Sequence, residues 1–412
     1  MSKCIRSGKS FLDLTLGQFF FFLLFNSLLF EDPIQYASGI TWIDEFAALV
    51  LFIAGCCYTT KNRKIEGIIP VAASVLCLLA TTFLGTVFAG VGQPVFAVLI
   101  DAFAYSKFPI AILGAVMLAG YLGSLRRFLV IEAKILSVTL LVLGIGNLFV
   151  DFGMRLPGGG RYWGVSFLGV WRQPTVLVAV CVCMISFLVG DGPRENILYI
   201  LSSCIVIILT QRSKGFAAVG VLLILLVVVE RRKPRLNFAG LLVILFGAIA
   251  IGWDAFVLYF GTSGFARSEL LRGGFELAID HIPLGTGFAT FGSAVSGDYY
   301  SPLYSQLGLS QVYGLTLNDH GFLSDTFWPT VAGQSGFLGV GLYVLFIALV
   351  FRLVKGRSDS KATFISLVYP LIYLLISSSS EAAFFAPLSI TLAFSVGVGA
   401  AGTGPVKSLS HD

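Results

Sequence analysis

The segment ARSELLRGGFELAIDHIPLGTG, Ala266 to Gly287, gathers arginines, acids, a histidine and turn glycines in a chain that is otherwise mostly apolar. Arginine is always charged and presents a fork of donors that meets phosphate or carboxylate oxygens in pairs. Arg267 and Arg272 are therefore candidates for holding an anionic ligand. Glu269, Arg272 and Glu276 are also spaced to bridge one another, at a few tenths of a kcal/mol per exposed pair. Arg267 lacks such helical partners and is the better ligand candidate. The turn PLGTG offers backbone amides through Gly285 and Gly287, a weak phosphate signal that two glycines in a plain turn also produce. Downstream, Asp319, His320 and Asp325 supply an imidazole and carboxylates able to take a proton from a hydroxyl. A histidine between aspartates is more usually the pattern of a solvated loop. Upstream, Arg212 and Lys214 in LTQRSKG, and Arg161 and Arg172 in RLPGGGRYWGVSFLGVWR, add further cations.

Membrane-spanning elements must position these groups. The chain is 57% hydrophobic and 12% charged, with a mean hydropathy of +0.90, against about 25% charged residues in soluble domains. A crossing of the roughly 30 Å hydrocarbon core takes about 20 apolar residues. Such runs fall at 11–30, 42–58, 67–89, 107–124, 128–150, 174–190, 196–210, 215–229, 238–259, 334–354, 362–380 and 384–403. The expected fold is all-α, a polytopic bundle of about twelve transmembrane helices forming one integral membrane domain over 1–412. A long, partly helical extracytoplasmic loop, 260–333, precedes the tenth helix. Its length implies a structured lid or binding loop.

The runs 196–210 and 215–229 also read as one interrupted helix, and every later loop would then change sides. Short cytoplasmic loops are enriched in lysine and arginine, which decides for two helices. Lys3, Arg6, Lys9, Lys61, Arg63, Lys64, Arg126, Arg127, Arg194, Arg231, Arg232, Lys233, Arg235, Lys355, Arg357, Lys361 and Lys407 then share one side, with both termini cytoplasmic. The exceptions, Arg155, Arg161, Arg172, Arg212, Lys214, Arg267 and Arg272, collect on the other side, where they suggest an anionic ligand.

Within the loop, Arg267, Leu271, Phe275, Ala278, Ile279 and Ile282 recur at helical spacing, so a helix ended by Pro283 is expected to lay that stripe on the bundle. Gly336, Gly339 and Gly341 permit close helix packing. Asp44 and Glu45 are expected to lie near an outer interface in contact with water. Glu132 and Lys134 are expected to pair with neighbouring helices or to mark a path, since an unpaired charge costs about 2.5–3.5 kcal/mol at the membrane centre. An interfacial aromatic belt accounts for most of the 155–172 segment, with sugar stacking on Tyr162 or Trp163 as the alternative. The seven cysteines have no CxxC pair and read as small hydrophobes. The basic clusters lie between apolar runs, as topology signals do, which speaks against nucleic acid. The first apolar run has no small-residue cleavage site after it and reads as an anchor.

Three motifs in order, LTQRSKG around Arg212, RSELL followed by DHIPLGTG, and DTFWPTVAGQSGFLG, resemble the bacterial O-antigen ligase and Wzy-type polysaccharide polymerase family. The resemblance covers roughly Leu209 to Val350. The family's ligase pattern is a His, then Asn, Ser or Gln, then nine residues and G-x-x-G. Here Asp325 and Thr326 stand at the first two positions, the spacing to Gly336 and Gly339 is kept, and His320 lies just upstream. An aspartate there looks more like a polymerase.

The resemblance implies glycosyl transfer at the bacterial cytoplasmic membrane, with undecaprenyl-diphosphate-linked oligosaccharides as donor and acceptor. The active site would face the periplasm or cell exterior, and a chain-length regulator and a flippase are possible partners. A diphosphate departs once its developing charge is stabilised, so fixed guanidinium groups suffice and no cofactor or metal is expected. Arg267 and Arg212 are assigned to the diphosphate, with His320 or Asp325 as base. Arg272, Lys214, Arg161, Arg172, Gly285 and Gly287 are secondary binding candidates. Ligation of a finished glycan to a lipid A core, flipping of a lipid-linked oligosaccharide and a non-catalytic partner role are the alternatives.

Overall fold

A computed structural model describes residues 15–62, 67–156, 164–231 and 264–401. Its helices are α1 Leu16–Leu29, α2 Glu31–Ser38, α3 Ile43–Asn62, α4 Ile68–Ala89, α5 Val95–Met117, α6 Ala119–Leu122, α7 Arg126–Phe149, α8 Pro174–Asp191, α9 Ile197–Leu209 and α10 Ser213–Arg231. After the long loop begins come α11 Ala266–Asp280, α12 Ala294–Asp298, α13 Pro302–Gln306, α14 Trp328–Lys355, α15 Lys361–Ser378 and α16 Pro387–Gly399. Among the described residues there is no β-strand, only one isolated bridge between Arg155 and Phe167.

Among the described residues seven helices are long and apolar enough to cross a membrane, and α1, α9, the 213–227 part of α10 and α16 are further apolar helical stretches. The chain is thus a polytopic helical bundle. Together these helices overlap the expected apolar runs except 238–259, which lies outside the described residues, as does Arg161.

Contacts between helix ends sort them onto two faces. On the first, the Trp171 indole N–H donates to the Leu29 carbonyl at the end of α1 (2.9 Å), and Trp328 at the start of α14 donates to Ser378 at the end of α15 (3.1 Å). Phe167 N–H caps Leu209 at the end of α9 (3.0 Å). On the opposite face, Gln18 reaches Ser124 (2.9 Å), Arg126 reaches the Gly190 carbonyl, and Arg357 reaches the Val116 carbonyl (2.9 Å). The long loop packs on the first face, called the loop face below. The 196–229 segment is two helices. Its break at Thr210–Arg212, with Gln211 at φ 53°, lies on the loop face.

α5 begins at Val95, well before the expected start at 107. The charges of Asp101 and Lys107 disguise its first half, because both are satisfied by protein and not by water. Lys107 holds Asp44 (2.5 Å) and Glu45 (2.8 Å). Asp101 accepts from the Ala289 N–H (2.6 Å) and the Gln334 amide (2.9 Å). The expectation that Asp44 stays wet is therefore corrected, since it is 1% exposed. Glu132 and Lys134 do find neighbouring helices: Asn26 donates to Glu132 (3.4 Å), and the Lys134 ammonium lies over the Tyr199 ring (5.5 Å).

Helix lengths shape the loop face. At 1.5 Å per residue, the 13 residues of α16 reach only about 20 Å. This helix sits at the bundle centre, buried from Ser389 to Val398. The α15–α16 connection must consequently dip from the loop face into the bundle. It does so through Phe384 and Phe385, whose rings pack on Phe108 and Tyr105 of α5 (5.0 Å each).

The long loop is pinned by a break in α14. Gly336 leaves the helical region, at φ 64° and ψ −171°, freeing carbonyls on one side of it and amides on the other. The 283–287 turn pairs with them: Thr286 N–H donates to Gly333 O (2.9 Å), Gly287 N–H to Gln334 O (2.8 Å), and Leu338 N–H to Pro283 O (3.2 Å). Irregular backbone within a membrane bundle is tolerated where protein satisfies it in this way.

Candidate functional site

Four charged side chains from four chain segments converge on the loop face. Arg267, in the first turn of α11, donates through Nη2 to Oδ2 of Asp325, just ahead of α14 (2.8 Å). Lys214, in the first turn of α10, is ion-paired with Glu381 in the α15–α16 connection. Lys214 also feels the charges of Arg267 and Asp325, and Tyr373 feels that of Glu381. The two pairs therefore form one cluster. Their side chains are 22% and 37% exposed for Arg267 and Asp325, and 18% and 28% for Lys214 and Glu381. That degree of exposure leaves each group reachable while excluding most bulk water, so charges act on one another at a reduced effective dielectric.

Local structure explains the placement. The α9–α10 turn is clamped by the 165–167 segment, with Ser166 Oγ donating to the Thr210 carbonyl (2.6 Å) and the Gln211 amide donating to the Val165 carbonyl. Arg212 stands partly exposed in this same turn, two positions from Lys214. α11 is fixed against α14 by glycine: a Cβ on Gly274 would lie 2.4 Å from the Pro329 carbonyl oxygen. Glu381 is held by the turn that closes α15, its N–H donating to the Ser377 carbonyl (3.0 Å).

Other candidates are engaged elsewhere. Arg272 donates to Glu269 (3.0 Å), Glu276 (2.8 Å) and the Leu307 carbonyl (3.0 Å), the mutual bridging that its spacing allowed. At 100° per residue it also points about 140° around α11 from Arg267. Arg172 rests over the Tyr36 ring of α2 (4.5 Å), and its backbone N–H donates to Asp32 (2.6 Å). The neighbouring Trp171 is buried and stacked on Phe30 (5.5 Å), so this stretch anchors the α1–α2 corner. His320 lies 3.8 Å from Asp298 and packs over Gly297 of α12. Of the two candidate bases, Asp325 is the one in the cluster.

Two expectations are corrected. Gly285 and Gly287 are buried, and their amides donate to His281 (3.0 Å) and Gln334 (2.8 Å), so the turn is a joint between backbones and not an open anion cradle. The buried side of α11 is Leu270, Gly273, Gly274, Leu277 and Ala278. Of the expected stripe, Phe275, Ile279 and Ile282 are instead 46%, 59% and 65% exposed. Phe275 meets Phe337 of α14 (6.4 Å), itself 42% exposed, so this apolar face continues the outer surface of the bundle. Small residues on the opposite side of α11 allow the closer approach, which a hydrophobicity pattern does not register.

The sequence reading passed over Glu381. Its available signal was a lone acid between two apolar runs, in SSSSEAAFF. A second, largely buried group joins Glu31 and Lys107 to Asp44 and Glu45, and residue spacing does not show it, because its members come from three helices. Among the described residues no cluster of His, Cys, Asp and Glu could hold a metal ion. The described cysteines, Cys56, Cys57, Cys77, Cys181, Cys183 and Cys204, are free thiols. No family model matches the chain, and no curated protein matches it.

Proposed function

We propose that the chain is a membrane glycosyltransferase that polymerises lipid-linked oligosaccharide repeat units, of the O-antigen, capsule or exopolysaccharide kind. The growing glycan leaves undecaprenyl diphosphate and joins a second lipid-linked unit. The observation that carries this reading is the convergence of Arg267, Asp325, Lys214 and Glu381 on one face of the bundle. A lipid diphosphate would place its headgroup at this face and its prenyl tail in the bilayer.

Guanidinium and ammonium groups fixed there stabilise the negative charge that builds on the departing diphosphate. At an effective dielectric near 20, a unit charge pair about 4 Å apart is worth about 4 kcal/mol before desolvation is deducted. Each 1.4 kcal/mol of that, where it favours the transition state, is about tenfold in rate. Arg267 and Arg212 hold the diphosphate, Lys214 assists, and Asp325 orients Arg267. The loop face is then extracytoplasmic and both termini are cytoplasmic, in line with the basic residues on the opposite face. The aspartate in the ligase-like motif favours the polymerase form over a ligase.

Reconstitution in proteoliposomes with the native lipid-linked repeat unit tests the reading. Wild type should lengthen the units in single-repeat steps without any ion gradient, and Arg267→Ala should slow this more than a hundredfold. Translocation without lengthening would make the protein a flippase, and transfer only of finished polymer to a lipid A core would make it a ligase. Lengthening that survives both Arg267→Ala and Arg212→Ala would reject the assigned roles.

A further inference from the structure

Glu381 belongs to none of the sequence motifs, yet it is the partner of Lys214 in the charge cluster. In the two ion pairs of that cluster each cation is matched by one carboxylate. A diphosphate brings additional negative charge and must compete with the carboxylates for the cations. Arg267 is a planar, five-donor fork, a shape that can meet a second anion beside the Asp325 it already holds. Lys214 cannot do so as readily. Its ammonium is a compact point charge on a flexible stem, free to swing from one anion to another.

We infer that Glu381 is the group that takes the proton of the acceptor hydroxyl, held by Lys214 until an arriving diphosphate draws that lysine away. This rests on the diphosphate reading above. Once its lysine leaves, the Glu381 carboxylate remains near Tyr373, in the same connection as the buried ring of Phe384, with its oxygens open to the acceptor hydroxyl. The acceptor oxygen then bonds to the donor's anomeric carbon as the bond from that carbon to the diphosphate breaks, its electron pair departing with the diphosphate. The hydroxyl proton moves to the Glu381 carboxylate and passes on to the released diphosphate or to water as Lys214 returns. Asp325 remains on Arg267 throughout, and His320 beside Asp298 takes no part.

Two measurements on the full-length, detergent-solubilised protein test this. Calorimetric titration uses farnesyl diphosphate and, in a parallel arm, inorganic pyrophosphate. Removing the internal competitor should make Glu381→Gln bind farnesyl diphosphate about tenfold more tightly than wild type, a modest share of the pair's Coulomb energy. Lys214→Gln should bind it about tenfold more weakly. In the reconstituted lengthening assay, Glu381→Gln should lower kcat about a hundredfold without raising KM, and Glu381→Asp should restore part of it. Unchanged or weaker binding by Glu381→Gln, or a wild-type kcat in that variant, overturns the inference, as does unchanged binding by Lys214→Gln. Pyrophosphate binding as tight as that of farnesyl diphosphate assigns the cluster to a soluble anion and also overturns it. Failure of wild type to bind either probe overturns the diphosphate reading itself, a result distinguishable from the others because no variant is involved.

Discussion

Gly287→Ala should be among the most damaging single-methyl additions in this chain. Gly287 sits at φ 89°, and a Cβ there would lie 2.2 Å from Cα and 2.3 Å from N of Thr86 in α4. The left-handed conformation alone costs a non-glycine residue roughly 1–2 kcal/mol. The collision is with helix backbone, which no side-chain rotation relieves, and overpacking of this kind adds about 1–3 kcal/mol. The expected loss is therefore about 2–5 kcal/mol. Two controls separate the terms. Gly308 has φ 72° and nothing within 4 Å of its Cβ position, so Gly308→Ala should show the conformational cost alone. Gly341 is helical with equally open surroundings, so Gly341→Ala should stabilise by about 0.5–1 kcal/mol. Thermal unfolding in detergent, followed by tryptophan fluorescence, should rank the melting temperatures as Gly341→Ala, wild type, Gly308→Ala, Gly287→Ala. A Gly287→Ala protein that melts with or above Gly308→Ala would refute the joint between the 283–287 turn, α4 and the break in α14.

Arg272→Ala should leave both lengthening activity and melting nearly unchanged, within about 0.5 kcal/mol, because its ion pairs are exposed; a hundredfold loss of activity would return Arg272 to the binding site. Burial, followed by the charge of Asp44, pushes the Glu31 carboxyl up to about 9. A carboxyl whose folded pKa lies above its unfolded value stabilises the fold fully below the unfolded value and loses that contribution as pH rises through the folded one. Melting temperatures should therefore fall as pH rises between about 5 and 9, and Glu31→Gln should flatten the slope; an unchanged slope in that variant would contradict the assignment. The exposed apolar face of α11 should lie in lipid. Tryptophan at Ile279 should be quenched by lipids brominated in their acyl chains, tryptophan at Glu276 should not, and equal quenching would place α11 elsewhere.

Much of the fold was legible because the bilayer leaves helices few choices. Apolar runs near 20 residues mark the helices, and the lysines and arginines on alternate connections separate α9 from α10. Where reading failed, charge was the reason: Asp101 and Lys107 look like an interface until their partners on other segments are known. In the candidate site, Arg267, Lys214 and Asp325 could be picked out by residue type and motif order, because a forked cation and a nearby carboxylate are chemically conspicuous. Glu381 could not, being a single acid with no spacing partner.

The amino-acid sequence by itself determined the class of protein, the approximate helices and the face that collects unusual cations, since hydropathy and charge are properties of consecutive residues. Only the tertiary structure decided which charge meets which. It joined Lys214 to Glu381 and Arg267 to Asp325, moved His320 away to Asp298, and turned the glycines at 285 and 287 from a supposed anion cradle into a backbone joint. Ion pairing depends on distances of a few ångströms between segments far apart in the chain. Those distances are set by how α4, α5, α14 and α16 pack, which no single stretch of residues encodes.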